Sequence, residues 1–196
     1  MPSDLPTLGW RIESKGNTRI REIKGRPFAG LFLFIDNPLM SSRECGACTV
    51  CCEGWMSSKV IDFSPGNPCK HCTAAGCGIY ATRPVDPCRT FKCAWLQDGS
   101  PMPDHLRPDK SLAIVQLNRK WKGRDIISAT PVGATIPQET LDWLMAYARE
   151  QNRPLLFLEN LFEDGKFVGY KQTGYGPPDF VQAVKNSIGL GDVRLI

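Results

Sequence analysis

The sequence predicts an α+β protein in which a loop-rich, metal-stabilised cysteine region packs against a small α+β layer of antiparallel strands and two helices. Three observations lead there. All nine cysteines fall between Cys45 and Cys93, where helical periodicity is sparse. From about residue 110 the apolar residues instead alternate, or recur at helical spacing, as strands and amphipathic helices require. Gly 18 and Pro 16 in one chain imply long irregular connections.

In chain order, residues 1–40 read as an N-terminal arm whose apolar run Leu31 to Ile35, bounded by Gly30 and Asp36-Asn37-Pro38, predicts one buried strand. Residues 41–98 are the cysteine region, too poor in apolar surface to fold unaided, so metal ligation is expected to hold it. Residues 99–196 form the small α+β region. Leu112, Ile114, Val115 and Leu117 predict a strand, and Ile126, Ile127 and Ala129 another. Between them, Asn118 to Arg124 carries four cations and a glycine and is expected as an exposed hairpin loop. Leu141, Leu144, Met145 and Ala148 follow i, i+3, i+4, i+7 and predict a helix, with Thr135 and Gln138 as its capping box. Leu155 to Glu159 and Lys166 to Lys171 predict a strand pair joined at Asp164-Gly165. A last helix is expected to start near Pro178, bury Phe180, Val181, Val184 and Ile188, and stop at Gly189.

Composition bounds the function. With 42% hydrophobic residues the chain supports a modest core, and a net charge of +4 makes no case for nucleic acid or for a membrane surface. The longest apolar stretch, Phe28 to Ile35, is far too short to span a bilayer. The opening Met1-Pro2-Ser3-Asp4-Leu5-Pro6 has neither a basic n-region nor an apolar h-region, so a cytoplasmic location is expected.

Four cysteines form one run, Cys45-Gly-Ala-Cys48-Thr-Val-Cys51-Cys52. Thiolates are soft anionic ligands, and C-x-x-C sets two of them on one tight loop around a metal. Disulfides are the rival reading. An odd cysteine count and the expected reducing compartment count against them. The other five cysteines lie at Cys69, Cys72, Cys77, Cys88 and Cys93, within Pro68-Cys-Lys-His-Cys72 through Arg83-Pro-Val-Asp-Pro-Cys88-Arg89-Thr-Phe91-Lys-Cys93.

Together these residues closely resemble the CxxCxxCC cysteine-cluster family of YkgJ-like zinc- or iron-chelating proteins. Its later half reads roughly C-x-x-L…G-x-C-x-I-Y…R-P-x-x-C-R-x-F-x-C. The matching positions are Cys69, Cys77, Ile79, Tyr80, Arg83, Pro84, Cys88, Arg89, Phe91 and Cys93, and the resemblance covers residues 45–96. Cys72 stands where the family usually carries an apolar residue, and one extra residue precedes Cys88. The resemblance implies Cys45, Cys48, Cys51, Cys52, Cys69, Cys77, Cys88 and Cys93 as metal ligands, enough for two four-coordinate sites. Similar clusters occur in proteins linked to flagellin lysine methylation, but no methyl-donor pocket is recognisable in this sequence.

Three cysteines at consecutive x2 spacings suit a [4Fe–4S] cluster completed by a remote cysteine, Cys88 or Cys93, whereas structural zinc typically uses two separated knuckles. An iron–sulfur cluster is therefore favoured over zinc. Adjacent residues diverge, so Cys51 and Cys52 are expected to face two centres. Arg83 and Arg89 either tune the metal from outside its ligand shell, bind an anionic partner, or pair with Asp62, Asp86 or Glu53. Tyr80, Phe91 and Trp95 read as local core ahead of a screen for a cluster, His71 as a bystander ahead of a zinc ligand within Cys69-x-His71-Cys72, and His105 as a linker residue. No G-x-S-x-G, Walker loop or dinucleotide fingerprint is present, so the metal is the only visible source of chemistry. The partner set is then a metal ion or cluster and an unidentified protein. Electron transfer, redox sensing or another cluster-dependent reaction is weighed against a non-catalytic zinc module and a metal carrier.

Overall fold

The computed structural model describes residues 43–187. The expected strand Leu31 to Ile35, Ile188 and the stop at Gly189 lie outside the described residues.

The α+β region is built around a four-stranded sheet of order β3-β4-β5-β6, comprising β3 (Ala113–Trp121), β4 (Arg124–Pro131), β5 (Leu155–Glu163) and β6 (Lys166–Tyr175). A small ladder precedes it, β1 (Cys72–Thr73) against β2 (Gly76–Cys77). Both hairpins of the large sheet turn on two residues of positive φ, Lys122-Gly123 at 48° and 80° and Asp164-Gly165 at 49° and 74°. Those angles match the right-handed twist of the strands they join. The Asp164-Gly165 turn stands where the sequence puts it. The basic segment does not form a long loop: β3 and β4 run on to Trp121 and Arg124, and only Lys122-Gly123 lies between them. Alternation continues through Asn118-Arg119-Lys120-Trp121, so the charged residues decorate strand rather than loop.

Helix α2 (Gln138–Glu150) carries the chain from β4 to β5, and a crossover of this kind makes that pair parallel, whereas β3/β4 and β5/β6 are antiparallel. The expected capping box is not made. Pro137 occupies the N-cap without a side-chain bond, and Gln138 instead donates to Asp142 at 2.7 Å. Leu144 and Ala148 are buried as the periodicity requires. Before β3, the short α1 (Pro108–Ser111) ends at Leu112 in the left-handed region, and Thr140 of α2 donates to the Ser111 carbonyl at 2.9 Å. Helix α3 (Pro178–Asn186) closes the described chain.

Neighbouring strand residues face opposite sides of the sheet, and two cores result. Ile127, Leu155 and Phe157 join Leu144 and Ala148 of α2 on one side. That same cluster includes Val50, Met56, Phe63, Cys93, Ala94 and Trp95, so the cysteine region shares the main core with the sheet. Ile126 and Leu156 meet Phe180 of α3 on the other side, where Trp121 packs edge-on against Phe180 at 5.2 Å. Gly174 permits this docking, because a Cβ there would stand 3.0 Å from the Val184 side chain. Among the described residues, no helix is long and apolar enough to cross a membrane.

Candidate metal centre

The cysteine region reaches its shape through turns. In the first C-x-x-C the Cys48 amide donates to the Cys45 carbonyl at 2.9 Å, and in Cys69-x-x-Cys72 the Cys72 amide donates to the Cys69 carbonyl at 2.9 Å. Cys51–Trp55 form a wide helical turn broken at Gly54, whose φ is 94°. The chain then folds back, and the Cys69 amide donates to the Cys52 carbonyl at 2.8 Å. This bond ties the end of the CxxCxxCC run to the later cysteines. Close backbone contact demands glycine at 54, where a Cβ would lie 2.3 Å from the Ser64 carbonyl oxygen.

These turns surround a cavity of about 110 Å³. Cys45, Cys48, Cys51, Cys52, Cys69, Cys77, Cys88 and Cys93 all line it, and Cys72 does not. All nine cysteines are free thiols. The thiols stand around a space rather than at a point. Among the described residues, no three His, Cys, Asp or Glu side chains converge closely enough to hold a metal ion.

Electrostatics divides the eight into two neighbourhoods. Burial raises Cys51 well above the 9.0 of a free thiol, and after burial the groups that press on it are Cys93, Cys48, Cys52 and Cys45. Burial pushes Cys93 up to about 11, with Cys45 and Cys48 adding to the rise. Cys52 behaves differently: burial, then Cys72, Cys77, Cys69 and Cys88, push it up to about 12. Cys88 is raised by burial and by Cys69 and Cys77. One neighbourhood is therefore Cys45, Cys48, Cys51 and Cys93, and the other Cys52, Cys69, Cys77 and Cys88 with Cys72 at its edge. They meet at the Cys51–Cys52 peptide. Of the two remote cysteines, Cys93 is the one beside the CxxCxxC trio.

Donors and cations oppose this crowding. Backbone N–H groups of Val50 and Asp109 hydrogen-bond Cys48, and those of Leu96 and Trp95 hydrogen-bond Cys93; each favours thiolate. Arg83 lowers both Cys45 and Cys88, one thiol of each neighbourhood. Its guanidinium lies 3.7 Å from the Tyr80 ring centroid and donates to the carbonyls of Tyr80 at 2.7 Å and Cys88 at 3.3 Å. Arg89 supports it by donating to the Arg83 carbonyl at 3.0 Å. These hydrogen bonds run to backbone carbonyls, while Asp86 accepts from Thr90 at 3.1 Å.

Arg107 joins the wall beside Cys48, and sequence reading missed it. It makes a two-pronged pair with Asp109, at 2.6 and 2.5 Å, and leans over Trp95 with its guanidinium carbon 5.8 Å from the ring centroid. No spacing signal links a proline-flanked arginine to cysteines so far up the chain. Tyr80, Phe91 and Trp95 line the cavity, as does His71. Trp95 is also bound to the scaffold, donating to Asp104 at 3.3 Å under the Arg43 guanidinium. His105 packs edge-on against Trp143 at 6.4 Å. Compared with family models, curated proteins and solved structures, the chain matches none.

Proposed function

We propose that this chain is a thiolate metalloprotein of the CxxCxxCC type that holds iron–sulfur chemistry in the cysteine cavity for one-electron transfer or redox sensing in a reducing, cytoplasmic setting. The observation that carries the reading is that the eight motif cysteines line one cavity and the ninth does not. The donor set is soft and anionic once deprotonated, and it meets backbone N–H donors and the cations of Arg83 and Arg107. The two neighbourhoods supply four thiols each, so we read them as two centres sharing the Cys51–Cys52 peptide.

Cluster is preferred to bare zinc on size. Four thiolates on one zinc at 2.3 Å would stand roughly 3.8 Å apart along the tetrahedron's edges. A cluster would be held by thiolates spread around a volume, as Cys45, Cys48, Cys51, Cys52, Cys69, Cys77, Cys88 and Cys93 are. The cavity, at about 110 Å³, is many times the ~10–15 Å³ that one water-sized sphere requires. When bound, the cluster supplies reversible one-electron chemistry. The protein contributes the rest. Trp95 and Phe91 supply apolar wall while Tyr80 is exposed at 40%, amides stabilise thiolate at Cys48 and Cys93, and Arg83 offsets negative charge between the two sets.

The test is an absorption spectrum of protein purified without oxygen, with iron, sulfide and zinc quantified on the same sample. A broad band near ~400 nm accompanied by iron and sulfide supports the reading. A colourless protein with stoichiometric zinc replaces it by a zinc-held binding module or carrier. Protein purified without any of the three overturns it.

A further inference from the structure

We infer that Cys72 and Cys77 form a redox-modification site, a cross-strand dithiol that a small disulfide oxidant closes, drawing Cys77 away from the cavity. The consequence for metal rests on the function proposed above; the dithiol itself does not.

Strand register brings the two thiols together. Cys72 and Cys77 are direct partners in the β1/β2 ladder, beside Thr73 and Gly76. One residue further out, the Gly78 amide donates to the His71 carbonyl at 2.9 Å. Antiparallel pairs alternate between bonded and non-bonded types, which makes Cys72/Cys77 a non-hydrogen-bonded pair. In such pairs the Cα atoms approach to about 4.5 Å, within the ~4.4–6.8 Å that disulfides span. Directly opposed residues also project to the same face of the ladder. Closure therefore requires side-chain rotation and no backbone displacement.

Position distinguishes the two thiols. Both are half-buried, but Cys77 lines the cavity and Cys72 does not, so Cys72 stands outside the wall of candidate ligands and is the thiol a metal would leave unbound. Cys72 is also in excess. Cys52, Cys69, Cys77 and Cys88 already make four thiols, and Cys72 neighbours Cys52 as a fifth. A four-ligand centre leaves it spare.

The oxidant is a low-molecular-weight disulfide such as oxidised glutathione. The Cys72 thiolate attacks one of its sulfurs, forming a mixed disulfide and expelling one glutathione thiolate. The Cys77 thiolate then attacks the Cys72 sulfur, forming the protein disulfide and expelling the second. Two protein thiols are oxidised and one glutathione disulfide is reduced to two thiols. In metal-free protein the two protons pass from the protein thiols to the products, whereas in loaded protein the Cys77–metal bond breaks to supply the thiolate and the second product takes its proton from solvent.

The experiment treats anaerobically purified protein with oxidised glutathione, traps the remaining thiols by alkylation, and maps disulfides by peptide mass spectrometry. Metal and sulfide are quantified in parallel, and Cys72→Ser is carried through the same steps. The expected result is a Cys72–Cys77 disulfide in the wild type, with release of one centre's metal, and retention of that metal by oxidant-treated Cys72→Ser. Pairing of Cys72 with Cys69, glutathionylation of Cys72 without closure, or equal metal loss in Cys72→Ser overturns the inference. Loss of metal from untreated Cys72→Ser also overturns it, because Cys72 would then be a ligand. If purified protein holds no metal, the metal reading fails by itself, and disulfide mapping on the same sample still decides whether the dithiol closes.

Discussion

Cys51 and Cys52 are joined by one peptide bond and Cys52 presses on Cys51, yet the other thiols that press on Cys51 are Cys93, Cys48 and Cys45, and those that press on Cys52 are Cys72, Cys77, Cys69 and Cys88. Single substitutions should separate them. On the proposed two-centre reading, Cys51→Ser removes the metal assigned to Cys45, Cys48, Cys51 and Cys93 and spares the other centre, with Cys52→Ser doing the reverse. Metal and sulfide analysis of the two variants, with the spectrum of what remains, checks this; identical losses would mean one shared centre. Protonation offers a second check at this scale. Cys93 and Cys52 are raised by burial to about 11 and about 12 from 9.0, so their neutral forms favour the folded state. In metal-free protein that contribution is fully present below about pH 9 and is lost as pH rises through the folded values. The denaturant midpoint of the stripped protein should therefore fall between pH 9 and 12. Metal uptake should strengthen with rising pH, because each bound thiolate must first lose its proton. Part of this was legible in the sequence: resemblance to the cysteine-cluster family singles out the eight thiols and sets Cys72 apart, and the divergence of adjacent residues points to two centres. Arg107 was not legible, because its place beside Cys48 depends on how a proline-flanked linker folds back.

Turns are the elements that build the site, and Gly54 is the tightest of them. Ala at this position adds a Cβ 2.3 Å from the Ser64 carbonyl oxygen at a φ of 94°. Backbone strain and overpacking together should make Gly54→Ala cost about 2–5 kcal/mol. Gly66, at a φ of 84° with nothing within 4 Å of its would-be Cβ, is the control, and Gly66→Ala should cost only the strain, about 1–2 kcal/mol. Chemical denaturation of both variants tests the pair, and equal costs would show that the Gly54 contact relaxes. At this scale the sequence signals succeed where one local rule governs. Asp164-Gly165 turns where it should, and α2 buries Leu144 and Ala148. They fail where two rules compete. Thr135 and Gln138 have capping-box spacing, but Pro137 takes the N-cap and Gln138 bonds Asp142 instead. The charges of residues 118–124 suggest a loop, yet alternation carries the strands to within two residues of each other.

For the whole molecule, the decisive fact is that the cysteine region and one face of the sheet share a core through Met56, Phe63, Ala94 and Trp95, while α3 covers the other face. Phe180→Ala should cost about 3–5 kcal/mol, as loss of a buried phenylalanine does, and leave metal content unchanged. Metal loss in this variant would mean that the two faces are coupled. Stripping the metal should lower amide protection most over residues 45–93, where regular backbone pairing is scarce, while the shared core keeps that region folded, and leave protection in β3 to β6 unchanged. Hydrogen exchange on loaded and stripped protein reads both regions at once, and uniform loss would show the sheet to depend on the metal. The sequence by itself determined the α+β class and the main strands and helices of the second half, because these follow from periodicity between near neighbours, and it gathered all nine thiols into one stretch of chain. Only the tertiary structure decided that β4 and β5 run parallel, that Cys93 joins the first trio, that Arg83 faces both thiol sets, and that Cys72 opposes Cys77. Each of those depends on which distant segments the shared core brings together, and no local pattern encodes that choice.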